Sequence, residues 1–375
     1  MPALHPHIDP DGLMEFSVVF TDRSLNHMSA AFQRVMRDID AMLREVYGAA
    51  AVALVPGGGT YAMEAVVRQY AVGKRALIVR NGLFSYRWSQ ILEASALAAD
   101  ATVVMARPTG NAVPSPYAPP PLAEVVTRIR ETRPHLVFAP HVETSAGVIL
   151  PEDYVRGLAE AAREVDALMV LDCIASGCVW VNMAETGVDI LISAPQKGWS
   201  ASPSAGMVMF SRRAEALLAE TSSDSFAMDL KKWRAIMKAY EDGGHAYHAT
   251  MPTDALAGLR DSMVETKSRG LAQVQAAQWE LGDGARSLLA AKGIVSVAAD
   301  GFGAPGVVVG YTDDPDLHNG RRFQAAGMQI SPGVPLQVGE GLGFRTFRLG
   351  LFGLDKLTDV PGTLARLGGV LDRVV

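Results

Sequence analysis

ALMVLDCIAS, residues 167–176, is an apolar run that ends in a carboxylate at Asp172, and DILISAPQKGWS, residues 189–200, is a second run that leads to an amine at Lys197. A short continuous apolar run suits a strand buried on both faces, as in parallel sheets. Open α/β sheets gather their ligands at the carboxyl ends of the strands, which is where Asp172 stands. Taken singly, each residue has a plain alternative: an aspartate caps turns, and a lysine after a strand is solvated. Taken together they are more informative. An amine in a turn of small residues, Pro195 to Ser200, can form a Schiff base with an aldehyde and, once displaced, shuttle protons. Burial near a cationic ring would lower its pKa and keep it nucleophilic near neutrality.

Outward from this pair, strand-like and helical patterns alternate. On the N-terminal side, apolar residues at helical spacing over Ser29 to Tyr47 predict an amphipathic helix. AVALVP precedes a helix from Thr60, ALIVR precedes a helix from about Tyr86, and ATVVMA and HLVFAP follow. A helix over Glu152 to Arg163 leads into ALMVLD, and GMVMFS follows DILISA. The expected fold class is α/β: a large, mainly parallel sheet covered by helices, over residues 21–251, after an N-terminal segment of residues 1–20. NAVPSPYAPPP, residues 111–121, reads as an extended connection within that domain. From residue 252 to 375 a long helical pattern over Ala255 to Leu289, then GVVVGY, a helix near Asn319 to Ala326, TFRLGLFG and a final helix predict a smaller α+β domain.

Composition narrows the function classes. With 375 residues, 49% hydrophobic and 20% charged, the chain can bury a large core without disulfides. A net charge of −6 without a basic run argues against nucleic acid or a membrane surface as partner. The expected ligand is small. Only Cys173 and Cys178 are present, so neither a disulfide framework nor a thiolate zinc site is expected, and a reducing cytoplasm is the default location. No apolar stretch reaches the ~18 residues that span a bilayer, and the N-terminus does not read as a secretory signal.

A phosphate cradle is offered by Val55-Pro56-Gly57-Gly58-Gly59-Thr60, between a strand and a helix N-terminus. The motif lacks the spacing of a dinucleotide fingerprint or a P-loop. NGLFSYR, residues 81–87, presents Phe84, an aromatic ring that can lie flat on a heterocycle or simply be core.

In order along the chain, GGGT with the helical AMEA, NGLF, HVETSAG at residues 141–147, LDCIAS and SAPQKG resemble the class V pyridoxal-phosphate-dependent aminotransferases, especially the alanine–glyoxylate and serine–glyoxylate branch. The resemblance covers most of the chain. It implies a fold-type-I transferase bound to pyridoxal 5′-phosphate, working as a homodimer with active sites at the subunit interface. By resemblance, Lys197 carries the cofactor as a Schiff base and Asp172 pairs with its pyridine nitrogen. Gly58, Gly59, Thr60 and Gln196 contact the phosphate, Phe84 stacks on the ring, and Thr144 or Ser145 reaches the ring oxygen. Tyr247 and Thr250 reach the phosphate of the neighbouring subunit, and Arg348 clamps the substrate's α-carboxylate. Arg345 is the runner-up for that clamp.

The activity this implies is transfer of an amino group from a small amino acid, alanine- or serine-like, to a 2-oxo acid such as glyoxylate or pyruvate. The alternatives are an elimination or desulfurase-type lyase on the same scaffold, or a non-enzymatic α/β protein whose GGGT loop holds another phosphate. The N-terminal segment departs from the family: His5-Pro6-His7-Ile8-Asp9-Pro10-Asp11-Gly12 stands where a glycine–proline motif usually lines the pocket. His245 and His248 lack a third ligand nearby, so no metal is expected, and Cys173 reads as a small buried hydrophobe.

Overall fold

Strand Leu168–Asp172 lies in the middle of a seven-stranded sheet, with Ile190–Ser193 on one side and Leu136–Pro140 on the other. The structure is a computed structural model that describes residues 6–112 and 114–375; the His5 and Val113 of the stretches quoted above lie outside the described residues. Beyond Leu136–Pro140 come Arg75–Arg80 and Asp100–Met105, all in parallel. Beyond Ile190–Ser193 comes Ala205–Phe210, antiparallel to it and to the outermost strand Ala51–Pro56. Two reversals restore the original direction. Ala51–Pro56, Arg75–Arg80, Leu136–Pro140, Leu168–Asp172 and Ile190–Ser193 therefore all end at one edge of the sheet.

The central strands are continuous buried runs because helices cover both faces. Helix Gly59–Tyr70 packs on Ala205–Phe210, Leu230–Glu241 on Ala51–Pro56, and Glu152–Glu164 on Leu168–Asp172. The expected first helix is Ala30–Tyr47, whose start is fixed by Ser29 Oγ accepting the N–H of Phe32. Its Phe32, Val35, Met36, Ile39 and Leu43 sit in the main core.

Three details differ from the sequence reading. The helix expected from Tyr86 is Leu83–Ser95, so Phe84 lies in its first turn. The long pattern over Ala255 to Leu289 is two helices, Thr253–Ser268 and Leu271–Ala291, broken where Gly270 takes φ +87°. The apolar face of the first (Leu256, Leu259, Met263) belongs to the main core, whereas the second packs on Val360–Val374 in a separate apolar cluster. The helix expected over Asn319 to Ala326 is two short pieces, Pro315–His318 and Arg321–Ala325. Within the proline-rich stretch Tyr117–Ala118 pairs antiparallel with Arg107–Pro108, and Tyr117 is tied to the C-terminal part: its N–H donates to Val297 O and its carbonyl accepts from Ala299.

A three-stranded sheet completes the C-terminal part, with Thr346–Gly350 between Val307–Tyr311 and Ser331–Pro332. This small sheet matters because its central strand carries Arg348.

Candidate active site

Parallel pairing sets Asp172 level with Ile192 and Pro140, so its carboxylate leaves the sheet at the common edge. It is only 7% exposed, and one oxygen, Oδ1, accepts the N–H of Ile174 at 2.9 Å. Burial pushes its pKa up to about 7 and the charge on Glu143 adds to the push, while the Ile174 hydrogen bond and Arg87 oppose it. Four residues past the neighbouring strand stands Lys197. Burial first, and then the positive charge of Arg348, hold its amine below the usual lysine range. Asp172 and Lys197 line one cavity of about 420 Å³, together with Gly59, Thr60, Phe84, Thr144, Gln196 and Arg348.

One wall is the start of helix Gly59–Tyr70. Its N-cap is Gly58, which has no side chain to cap the first turn; the Tyr61 N–H donates to Gly58 O, and those of Gly59 and Thr60 are left for a ligand. A Cβ at Gly58 would meet nothing within 4 Å, whereas at Gly59 it would lie 2.3 Å from Ile174 Cδ1, which itself lines the cavity. A side chain at 59 would therefore force Ile174 to move. The amide of Gln196 makes no hydrogen bond among the described residues, and its Oε1 is buried.

A second wall is the start of helix Leu83–Ser95. Glu143, fully buried, accepts from the N–H groups of Phe84 (3.1 Å), Ser85 (2.9 Å) and Ser145 (3.1 Å), and from the hydroxyls of Ser85 (2.7 Å) and Ser145 (2.6 Å). A carboxylate at a helix N-terminus is stabilised by the exposed N–H groups and the helix dipole. The result is a fixed position for Phe84. The Arg87 and Arg348 guanidinium carbons lie 5.3 and 5.7 Å from the centre of its ring.

The third wall is strand Thr346–Gly350 and its continuation. Residues two apart on a strand share a face, so Arg348, Gly350 and Phe352 all meet the cavity. Arg348 is held by its Nε, which donates to Pro332 O at 2.8 Å. Among the described residues none of the three cations here, Arg87, Lys197 and Arg348, has a carboxylate partner within salt-bridge distance. The cavity is therefore built to take anions.

No family profile matches the chain. It is similar to the L-aspartate–glyoxylate aminotransferase of Paracoccus denitrificans, 28% identical over 346 residues that cover 90% of this chain and 82% of that protein. It is also similar to the 2-aminoethylphosphonate–pyruvate transaminase of Burkholderia thailandensis, 28% identical over 391 residues, covering 99% of this chain and 98% of that one. Among solved structures, the alanine–glyoxylate aminotransferase of Nostoc sp. superposes with a TM-score of 0.77 over 92% of this chain and 89% of that one, at 24% identity. The chain has the fold of the class V aminotransferases. Its fold is the fold-type-I transferase fold, and both of the sequence relatives named above are transaminases.

Several residues of this site escaped the sequence reading. Arg87 donates to Thr60 Oγ1 at 2.9 Å, joining the two helix starts across the cavity mouth. It stands three residues after Phe84, one turn along the same helix, which was the available signal. Glu143 was quoted within HVETSAG without a role, and Ile174, Ser331 and Phe352 were not singled out.

Of the paired candidates Thr144 and Ser145, Thr144 lines the cavity, while Ser145 Oγ accepts the N–H of Leu83 and donates to Glu143. Arg345, the runner-up to Arg348, donates to Asp313 O at 2.6 Å and lines a different cavity. Tyr247 and Thr250 stand outside the cavity of their own chain, with hydroxyls 3.3 Å apart and Tyr247 59% exposed. His248 Nε2 lies 2.8 Å from Phe226 O, and the His245 ring stacks edgewise near His27. Cys173 and Cys178 are both buried, with thiols pushed up by burial.

Proposed function

We propose that this chain is a pyridoxal 5′-phosphate-dependent aminotransferase that moves the amino group of a small, alanine- or serine-like amino acid to a 2-oxo acid such as glyoxylate or pyruvate. The observation that carries the reading is the buried Asp172 carboxylate and the desolvated Lys197 amine opening onto one cation-rich cavity. The residues fit the cofactor. An uncapped helix start and an unengaged Gln196 amide suit a phosphate, and an unbonded Asp172 oxygen suits a protonated ring nitrogen.

When bound, the cofactor supplies an electron sink for the substrate's α-carbon. Lys197 Nζ would hold its aldehyde covalently and, when free, would take the proton leaving the donor's α-carbon. Asp172 would keep a proton on the ring nitrogen. Gly58, Gly59, Thr60 and Gln196 would hold the phosphate, with Arg87 beside Thr60 adding a positive charge. Phe84 would cover the ring face, Thr144 would reach the ring oxygen, and Arg348 would receive the substrate carboxylate as a fork of two donors.

The same reading makes the enzyme a cytoplasmic homodimer in which Tyr247 and Thr250 complete the partner's phosphate site. The exposed Leu13, Phe16, Val18, Phe226 and Tyr247 support this, as apolar surface that a second copy would cover. No helix among the described residues is long and apolar enough to cross a membrane. It also divides the chain into the N-terminal segment of residues 1–20, a large domain of residues 21–251 and a small domain of residues 252–375. A desulfurase needs a cysteine on a mobile loop, and both cysteines here are buried beside the sheet.

Adding alanine or serine to the cofactor-loaded protein should convert the visible absorption band to that of the amine form of the cofactor, and glyoxylate or pyruvate should restore it. Absence of any change with a panel of amino donors contradicts the proposal. Ammonia release without an oxo-acid acceptor points to the lyase.

A further inference from the structure

Lys197 Nζ lies 4.7 Å from the centre of the Phe352 ring. Phe352 reaches this position from the strand that carries Arg348, two residues past Gly350, so one strand delivers both the guanidinium and the ring to the cavity. The ring has a shaped seat. A Cβ on Gly306 would come within 2.7 Å of Phe352 Cε1, and one on Gly177 within 3.4 Å of the same atom. Gly177 is itself pressed against the lysine's own turn, since a Cβ on Gly198 would lie 2.1 Å from Gly177 O. Gln278, fully buried, fixes the segment from behind by donating to Pro305 O and Leu351 O at 3.1 and 3.2 Å.

We infer that Phe352 is a positioning residue for Lys197, its ring face holding the ammonium over the cavity in the seat left by Gly306 and Gly177. This rests on the reading that Lys197 holds the cofactor, yet the contact is testable without it. The ring's negative face attracts the protonated amine. It therefore opposes the two influences that favour the neutral amine, burial and the charge of Arg348. The other charged groups lining the same cavity are Asp172 and Arg87, and Glu143 stands behind Phe84. The ring face thus favours a protonated amine pointed at it, against those two influences.

The test is the pH dependence of acetylation of Lys197 by acetic anhydride in the full-length, cofactor-free chain, read by peptide mass spectrometry. Phe352→Leu should lower the midpoint by about half a pH unit, as loss of an exposed to partly buried cation–π contact implies. Gly306→Ala should do the same by displacing the ring, and Phe352→Tyr should restore the wild-type midpoint. Circular dichroism establishes that each variant is folded, and if Gly306→Ala is not, the two Phe352 variants decide. An unchanged or raised midpoint in Phe352→Leu overturns the inference. Borohydride trapping of added cofactor at a lysine other than Lys197 would instead overturn the proposed function and leave the ring contact standing.

Discussion

Two buried carboxylates, Glu143 and Asp172, stand close enough for the charge of one to raise the pKa of the other, yet they are treated in opposite ways. Glu143 is saturated: five donors from residues 84, 85 and 145 surround it. Asp172 has a single backbone donor on one oxygen and faces a cavity with the other. A buried charge is tolerated when paired and hydrogen-bonded, and is costly when it is not. Glu143 therefore belongs to the scaffold. Asp172 is held in an environment that a cationic ligand would relieve, as expected of a functional group.

The comparison is broken most sharply by amidating each residue. Asp172→Asn should leave the fold intact and lower turnover by about 10³-fold, because the amide cannot hold a proton on a ring nitrogen; steady-state kinetics with saturating cofactor measures it. Glu143→Gln should act chiefly on stability. Its NH₂ group faces donors, so unfolding free energy should fall by about 3 kcal/mol, measured by urea titration of the cofactor-free protein. If Asp172→Asn destabilises and Glu143→Gln abolishes turnover without unfolding, the two roles are reversed.

A smaller effect is expected at the third wall. Arg348→Lys should raise KM for the oxo acid by about 10-fold with less change in kcat, since a lysine replaces a planar fork by a point charge. The same change at Arg345, tied to Asp313 O, should leave KM near wild type.

A further effect sharpens the comparison through pH. With the folded pKa of Asp172 raised to about 7 from 3.8, the folded chain holds a proton that the unfolded chain has lost between those values. Its contribution to the stability of the cofactor-free protein is thus most favourable below about pH 4 and is lost progressively as pH rises to about 7. The stability of Asp172→Asn relative to wild type should rise across that window. A thermal-denaturation series for the pair checks it, and a flat difference would contradict the raised pKa.

The sheet and the central pair were legible because both rest on local signals. An apolar run ending in Asp172 and another leading to Lys197 need only parallel pairing to meet at one edge. Phe84, Thr144 and Arg348 were legible through family resemblance, and the structure brings them to the same cavity. Glu143, Arg87 and Phe352 were not, for a physical reason. What defines them is contact across the fold: Glu143 with a helix start some sixty residues earlier, Arg87 with Thr60, and Phe352 with Lys197. No local period records such contacts. The single long helix expected over Ala255 to Leu289 failed at Gly270, whose positive φ ends one helix and begins the next.

The claim on which all of this depends is that Lys197 and Asp172 serve one bound pyridoxal 5′-phosphate. Borohydride reduction of the loaded, full-length protein, followed by peptide mass spectrometry, tests it directly. The expected result is loss of the visible band and a phosphopyridoxyl mass on Lys197 alone; a mass on another lysine, or a protein that takes up no cofactor, would contradict it.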